Sequence, residues 1–542
     1  MSTRIATGGR LLNKSNAVSF SFNGKQLRGF EGDTLASALL ANDQMLVGRS
    51  FKYHRPRGVV AAGPEEPNAL VNLGRAGKFE PNQRATTTEL FDGLNAESQN
   101  HWPSLEFDVG AINKYLSRFL PAGFYYKMFI HPRPFWKHVY EPIIRHSAGL
   151  GKAPKDQDAD SYEHFYAFCD VLIIGGGVAG LEAARTAGRS GARVILLEQT
   201  AHWGGRAPVD GGTIEGTPVN SFVDDLVAEL STMSNVEMRT RVMGAGVYDH
   251  GYVLGYERLT DHAPQAAGPR HRLWRIRAGH VITATGAIER PLSFAGNDIP
   301  GVMLAASIRD YLVNYGVSVG DRTVVVTNND DAYRTAIALV EAGLSVPAVL
   351  DARVLPQDSP LMVRAKELGI RVMMGHAISR VKGTKRVAAV EVCSQAGEGA
   401  VLETIACEAV AMSGGWAPVV HLWSHCGGKL VWDTTLATFR PDVDNPPLGA
   451  DGHGFVTAAG AAAGFFGLDD ILHDAHAAAD GVATALGFKL PSEVVSPNAS
   501  RQEEAPLTPV WLMPQGAGVN LREKAWLDYQ NDVKVSDIRL AA

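Results

Sequence analysis

Three glycines and one glutamate carry the clearest chemistry in the chain. Gly175-x-Gly177-x-x-Gly180 follows the apolar run Val171–Ile174 and opens a stretch of helical character that begins Val178-Ala179. The first glycine permits a tight turn, the second lets the backbone approach a pyrophosphate, and the third lets helix and strand pack closely. The start of the helix then offers free N–H groups and a positive dipole end to two phosphates. Glu198 closes the next apolar run, VILLEQ, 18 residues after Gly180 and beside Gln199. A carboxylate there accepts hydrogen bonds from the adenosine ribose and repels a 2′-phosphate, which favours NAD or FAD over NADP. A glycine turn without a ligand would need no such agreement between strand, turn, helix and acid.

Other groups invite chemistry less strongly. A second strand–turn–helix–strand run, residues 320–351, has the turn TNNDDAYR (Thr327–Arg334) and no glycine fingerprint. Asp330 and Asp331 suit a helix start but repel a phosphate, so this unit is expected to keep the fold without a nucleotide. His473-x-x-His476, with Asp469, Asp470 and Asp474, has helical metal-ligand spacing. Satisfied polar residues at a helix start are the better reading, and no metal site is predicted. Arg49, Lys52, His54, Arg55 and Arg57, interleaved with Phe51 and Tyr53, could face RNA. In a chain of net charge −6 they read instead as an ion-paired loop at a subunit or flavin-phosphate interface. The four cysteines, Cys169, Cys393, Cys407 and Cys426, have no CxxC spacing. That argues against a disulfide framework, a cysteine zinc site and a compact four-cysteine cluster motif. No nucleophile motif is present, and no catalytic residue is predicted on this chain.

The elements that must position these groups belong to a folded chain of several domains. Of its 542 residues, 45% are apolar and 20% charged, ordinary values for globular protein. The balance of 51 Lys and Arg against 57 Asp and Glu speaks against a general nucleic-acid binder. No apolar run approaches the ~20 residues of a membrane helix, and the first residues lack a signal-peptide core. Cytoplasmic residence, with no membrane and no nucleic acid as partner, is therefore expected. Residues 15–75 read as a small α/β unit. It has a hairpin at Asn23-Gly24, a short helix capped by Asp33 or Thr34, a strand-like MLVG and a long loop rich in proline and glycine. Seven aromatics between Phe124 and Tyr140 read as a core or a subunit seam.

Further motifs resemble those of two-dinucleotide flavoproteins. TAHWGGR, with Gly204, Gly205 and Arg206, looks like the glycine pair that passes near their cofactor. TATGAIERP, with Gly286, resembles the ATG motif that links their two nucleotide domains. Those proteins carry a Gly-Asp near the last strand, where the acid binds the ribityl side of FAD. Here the matching stretch is Ala459-Gly460-Ala461-Ala462, so the dinucleotide need not be FAD. Residues near Val242, Gly286 and the turn Ala463–Leu468, including Gly464 and Leu468, are expected to complete the pocket.

Over most of its length the chain resembles the alpha subunit of heterotetrameric sarcosine oxidase. The resemblance rests on GDTLASALLAN, VGRSFKYHRPRG, EEPNALV, LPAGFYYKMF, VYEPIIRHSAGLG, GGGVAGLEAA and LDYQNDVKVSDI. It implies an α/β chain: a glutathione-reductase-like, two-dinucleotide-binding region of Rossmann type, preceded by a small ferredoxin-like α+β domain without a cluster. The implied domains are 1–102, ferredoxin-like; 103–165, an aromatic-rich connector; 166–290 with 405–490, the NAD-binding domain; 291–404, an inserted and empty nucleotide-type domain; and 491–542, a segment leading towards an absent folate-binding domain. Either the chain is a segment of a longer subunit, or folate binding lies on another chain.

The resemblance further implies a non-catalytic NAD on this chain, FMN at the alpha–beta interface, FAD on the beta subunit and tetrahydrofolate in the full assembly. Beta, gamma and delta subunits are the implied partners. The implied reaction demethylates the small-molecule amine sarcosine to glycine, reduces O2 to H2O2 and passes the one-carbon unit to tetrahydrofolate. Alternatives are the large subunit of an opine oxidase or of a cyanide-forming glycine oxidase, or a self-contained FAD-dependent NADH oxidoreductase.

Overall fold

The computed structural model describes residues 3–114, 131–147, 149, 151, 153–354, 358–501 and 503–542. Their contacts separate into two units. One comprises Met1–Ala159, Arg290–Gly415 and Glu504–Ala542, the other Asp160–Glu289 and Trp416–Glu503. Phe124, Tyr125, Tyr126 and Phe129 of the aromatic stretch lie outside the described residues. Of its described members Phe135 and Trp136 are exposed and Tyr140 is half-buried. Among the described residues no helix is long and apolar enough to cross a membrane.

In the second unit the central strands are parallel, and their carboxyl-terminal ends are buried. Tyr162–Ile174 pairs with Val194–Leu197 on one side and His271–Thr283 on the other. Val236–Arg239 extends the sheet beyond Val194–Leu197, and Val456–Ala458 pairs with the end of His271–Thr283. Val171–Ile174 are all buried, so the run reads as continuously apolar, as expected of a strand covered on both faces. The helices Val178–Arg189 and Leu468–Ala485 supply the covering layer through Leu181, Ala184, Leu472 and Ala479. This parallel order brings the ends of three strands into line, and in such sheets ligands bind outside the carboxyl ends.

The two largest sheets of the first unit, of five strands each, differ in kind. Residues 13–97 form a mixed sheet with the strand order Lys25–Glu31, Asn13–Phe22, Leu94–Glu97, Leu70–Leu73, Glu80–Arg84. Asn23 and Gly24 both have positive φ, which matches the twist of the hairpin they close. Thr34 caps the helix Leu35–Ala41 in a capping box with Ser37. The expected strand at MLVG shrinks to Gly48–Arg49, which pairs only with Pro56–Arg57, because proline withholds a ladder donor. Residues 302–412 build a parallel sheet in the order Val302–Leu304, Ala409–Ser413, Thr323–Thr327, Val349–Asp351, Val372–Met374. The strand–turn–helix–strand run read at residues 320–351 lies in it as Thr323–Thr327, Asp331–Glu341 and Val349–Asp351.

Three of the five basic residues of the run are buried and, as expected, paired, while Lys52 and His54 are half-buried. Arg49, Arg55 and Arg57 are at most 5% exposed. Arg55 ion-pairs with Asp532 and Asp298 and stacks 3.9 Å over Trp526. Arg57 donates to the Tyr529 and Gln530 carbonyls, and Arg49 to that of Leu105. Burying a guanidinium is tolerable only when its donors are matched, and here residues far along the chain match most of them, the buried Arg57 Nε excepted.

Candidate functional site

The dinucleotide-type site is built at the ends of Tyr162–Ile174, Val194–Leu197 and His271–Thr283. Gly175 donates its N–H to Leu197 O at 2.8 Å, and Ala284 donates to Ile174 O at 2.9 Å. Gly175 has φ +112°, and a Cβ there would overlap the Ala284 carbonyl oxygen. A Cβ on Gly180 would overlap the Gly175 carbonyl oxygen. Gly177 differs from both. Its φ is −70°, and the nearest atom to an added Cβ is Gly205 Cα at 3.9 Å. The three glycines therefore separate by role: two make the turn and packing possible, and one leaves space open.

Gly177 begins the helix Val178–Arg189, and no side chain caps it. The amides of the first turn have no partner within a helix, so an uncapped start is suited to an anion. Glu198, 7% exposed, is held by two amides. Its Oε2 accepts from Gly176 N and its Oε1 from Thr200 N, both at 2.7 Å. Each oxygen keeps a further lone pair for a ribose hydroxyl. Val242 supports it from below by donating its N–H to Glu198 O at 2.8 Å.

The remaining sequence-predicted positions are divided. Gly204 donates to Gly176 O at 2.8 Å, which seats the Gly204-Gly205 pair on the fingerprint turn. Ala463 and Gly464 close a tight turn on Gly460 and Ala461, with N–H···O distances of 2.9 and 3.2 Å. A Cβ on Gly460 would sit 2.7 Å from Ala179 Cβ, so this turn abuts the first turn of the fingerprint helix. Gly286 has φ +75° and open space around it. Arg206 lies over Trp416 and donates to Asp210 at 2.9 Å. Gln199 is exposed and uses its carbonyl to hold Arg258. Leu468 packs beside Gly212.

Two residues at this site escaped sequence reasoning. Trp203 walls the turn: a Cβ on Gly176 would meet its ring at 2.5 Å. Asp474 accepts the Gly460 N–H at 2.7 Å, and burial pushes its carboxyl above the ordinary range. Its only sequence signal was membership of the candidate metal set. Those residues are engaged with protein groups, Arg501 reaching both Asp469 and Asp470. His476 contacts the fully buried Glu182 at 3.2 Å and Thr186 at 3.0 Å, and Asp469 accepts from Ala499 N and Arg501.

The corresponding turn of the first unit is filled by its own chain. Asp330, 0% exposed, accepts from Arg353 and from Ala505 N, both at 2.6 Å. Asn328 exchanges hydrogen bonds with Thr508. Asp331 pairs with the buried Arg309. A buried carboxylate stands where a phosphate would need donors, so these residues do not fit a dinucleotide. Those around Gly177 do.

Residues 169–443 match a family described as pyridine nucleotide-disulphide oxidoreductase, and residues 15–101 one described as 2Fe-2S iron-sulfur cluster binding domain. Among curated proteins the chain is 45% identical to sarcosine oxidase subunit alpha of Rhizobium meliloti (strain 1021), over 98% of this chain and 52% of that protein. It is 35% identical to sarcosine oxidase subunit alpha of Corynebacterium sp. (strain P-1), over 97% of this chain and 50% of that protein. The resemblance read from the motifs is thus homology over nearly the whole chain, and the chain spans about half the length of these relatives. The solved structure of L-proline dehydrogenase from P. horikoshii shares the fold, with a TM-score of 0.64 at 19% identity, covering 100% of this chain and 88% of that one.

Proposed function

The chain belongs to the pyridine nucleotide-disulphide oxidoreductase family, and on that premise we propose that it is the dinucleotide-holding part of the alpha subunit of a multi-subunit sarcosine oxidase, with NAD bound as a non-catalytic group. One contrast carries the reading. Gly177 leaves open space at an uncapped helix start facing Glu198, whereas Asp330 closes the matching turn of the other nucleotide-type layer. Ala461 stands where a flavin site would need an acid, which favours NAD over FAD.

In this reading the amides of Val178, Ala179 and Gly180 hold the pyrophosphate, and Gly177 and Gly205 give it room. Glu198 orients the adenosine ribose, and Asp474 keeps the Gly460–Gly464 turn in place by binding the Gly460 amide. Bound there, NAD supplies charge and hydroxyl groups to the packing of this unit and no redox step. Oxidation of sarcosine to glycine, reduction of O2 to H2O2 and one-carbon transfer to tetrahydrofolate are assigned to the assembled enzyme. FAD sits on the beta subunit, FMN at the alpha–beta interface, and gamma and delta subunits complete the assembly. No catalytic residue is assigned to this chain.

The test is the nucleotide released by denaturing the purified chain, identified by mass spectrometry. NAD in near-equal amount to protein is expected; FAD recovered from this chain alone overturns the reading.

A further inference from the structure

The N-terminal domain matches a cluster-binding family, yet residues 15–101 contain no cysteine. Plant-type clusters are held by thiolates spaced C-x4-C-x2-C with a fourth cysteine further on. In the loop after the first helix, Ala61, Glu66 and Ala69 have that spacing. The structure shows what occupies the place. The Glu66 side chain turns into its own loop, with the residue 1% exposed. Its Oε2 accepts from Val60 N at 2.8 Å and Ala61 N at 2.6 Å. Its Oε1 accepts from Asn68 N at 2.6 Å and Ala69 N at 2.9 Å. Thr86, 3% exposed, closes over the loop by donating its hydroxyl to Gly63 O at 2.7 Å.

Amides rarely converge in this way without an anion to receive them. A thiolate-ligated cluster is such an anion, and its sulfurs accept backbone hydrogen bonds. Burial works against the charge on Glu66. Each of its oxygens nevertheless receives two N–H donors, an arrangement that an acid O–H would break. Alanines at 61 and 69 and a threonine at 86 offer no metal ligand of the kind required, so these residues do not fit the cluster that the family description implies.

We propose that Glu66 is a built-in anion that replaces the cluster: the loop keeps the amide cradle of a [2Fe–2S] site and fills it with a carboxylate. The loop then serves as a fastening instead of an electron carrier. Its Val60 carbonyl accepts from Leu304 N at 2.9 Å and its Ala61 carbonyl from the Tyr311 hydroxyl at 3.0 Å. Both tie the N-terminal domain to the parallel sheet layer of the same unit. This inference does not depend on the dinucleotide reading.

Two measurements on the full chain test it. In Glu66→Gln an NH2 group faces two of the four amides. Hydrogen exchange at Val60, Ala61, Asn68 and Ala69 should then accelerate by about tenfold or more, while exchange in the strand Val171–Ile174 stays as it was. Unchanged exchange at those four amides overturns the proposal. In the reverse experiment, Ala61→Cys, Glu66→Cys, Ala69→Cys and Thr86→Cys are combined and the protein is reconstituted anaerobically with iron and sulfide, with the unaltered chain as blank. Two irons per chain and a reduced-state paramagnetic signal are expected. A folded fourfold variant that takes up no more iron than the blank overturns the assignment of the place. If that variant does not fold, the exchange measurement decides alone.

Discussion

Gly177→Ala separates the dinucleotide site from the fold that carries it. The φ of −70° is ordinary for alanine, and the new methyl would meet only Gly205 Cα at 3.9 Å, normal contact. Alanine caps a helix less well than glycine by about 0.5–1 kcal/mol, so the unliganded protein should lose no more than about 1 kcal/mol. The methyl does, however, enter the space where a pyrophosphate must lie against the backbone. Displacing the phosphates from two amide contacts, each charge-assisted and worth about 1.5 kcal/mol or more, costs about 3 kcal/mol. That is roughly a 150-fold loss of affinity. Calorimetric titration of NAD into nucleotide-free protein measures the affinity, and thermal denaturation of the same samples measures the fold. Gly180→Ala is the control: its Cβ overlaps the Gly175 carbonyl oxygen, so stability and binding should fall together. If Gly177→Ala binds NAD within about threefold of the unaltered protein, the pyrophosphate does not lie there and the reasoning fails.

Replacing Glu198 by Gln removes the charge that repels a 2′-phosphate, so the ratio of NADP to NAD affinity should rise about tenfold or more, measured by competition. His280 contacts Thr457 Oγ1 at 2.9 Å, and burial lowers its pKa to about 4. It is neutral in the fold, and the unfolded chain takes up its proton first. Stability from this group is therefore complete above about pH 6.5 and falls by up to ~3 kcal/mol as the pH drops towards 4. Denaturant midpoints across that range should flatten in His280→Gln. Arg55→Met leaves the buried Asp532 carboxylate the Tyr53 N–H at 3.3 Å and Arg57 at 4.0 Å, and should cost about 3 kcal/mol in chemical denaturation. Arg55→Met with Asp532→Asn should recover much of that loss.

What could be read from the chain alone was local in origin. The turn at Gly175, the helix start at Gly177 and the hairpin at Asn23-Gly24 follow from φ angles and from contacts a few residues apart, so residue type and spacing suffice. Glu198 was legible for the same reason, because a parallel βαβ unit places the end of its second strand beside its first turn. The loss of the second fingerprint was legible too, since Asp330 and Asp331 announce themselves at a helix start.

Tertiary structure alone decided the partners of buried charge. That Arg55 would be ion-paired could be read from the run, but not that its partners are Asp532 and Asp298 or that it stacks on Trp526. Asp474 read as a polar residue of a helix start, and the Gly460 amide it accepts from left no mark in the sequence. Glu66 gave no sign of its four amides. A buried charge must be neutralised by whatever donors or acceptors the fold brings within about 3 Å. Those groups come from far along the chain or from the detailed path of a loop, and neither leaves a periodic trace in the order of residues.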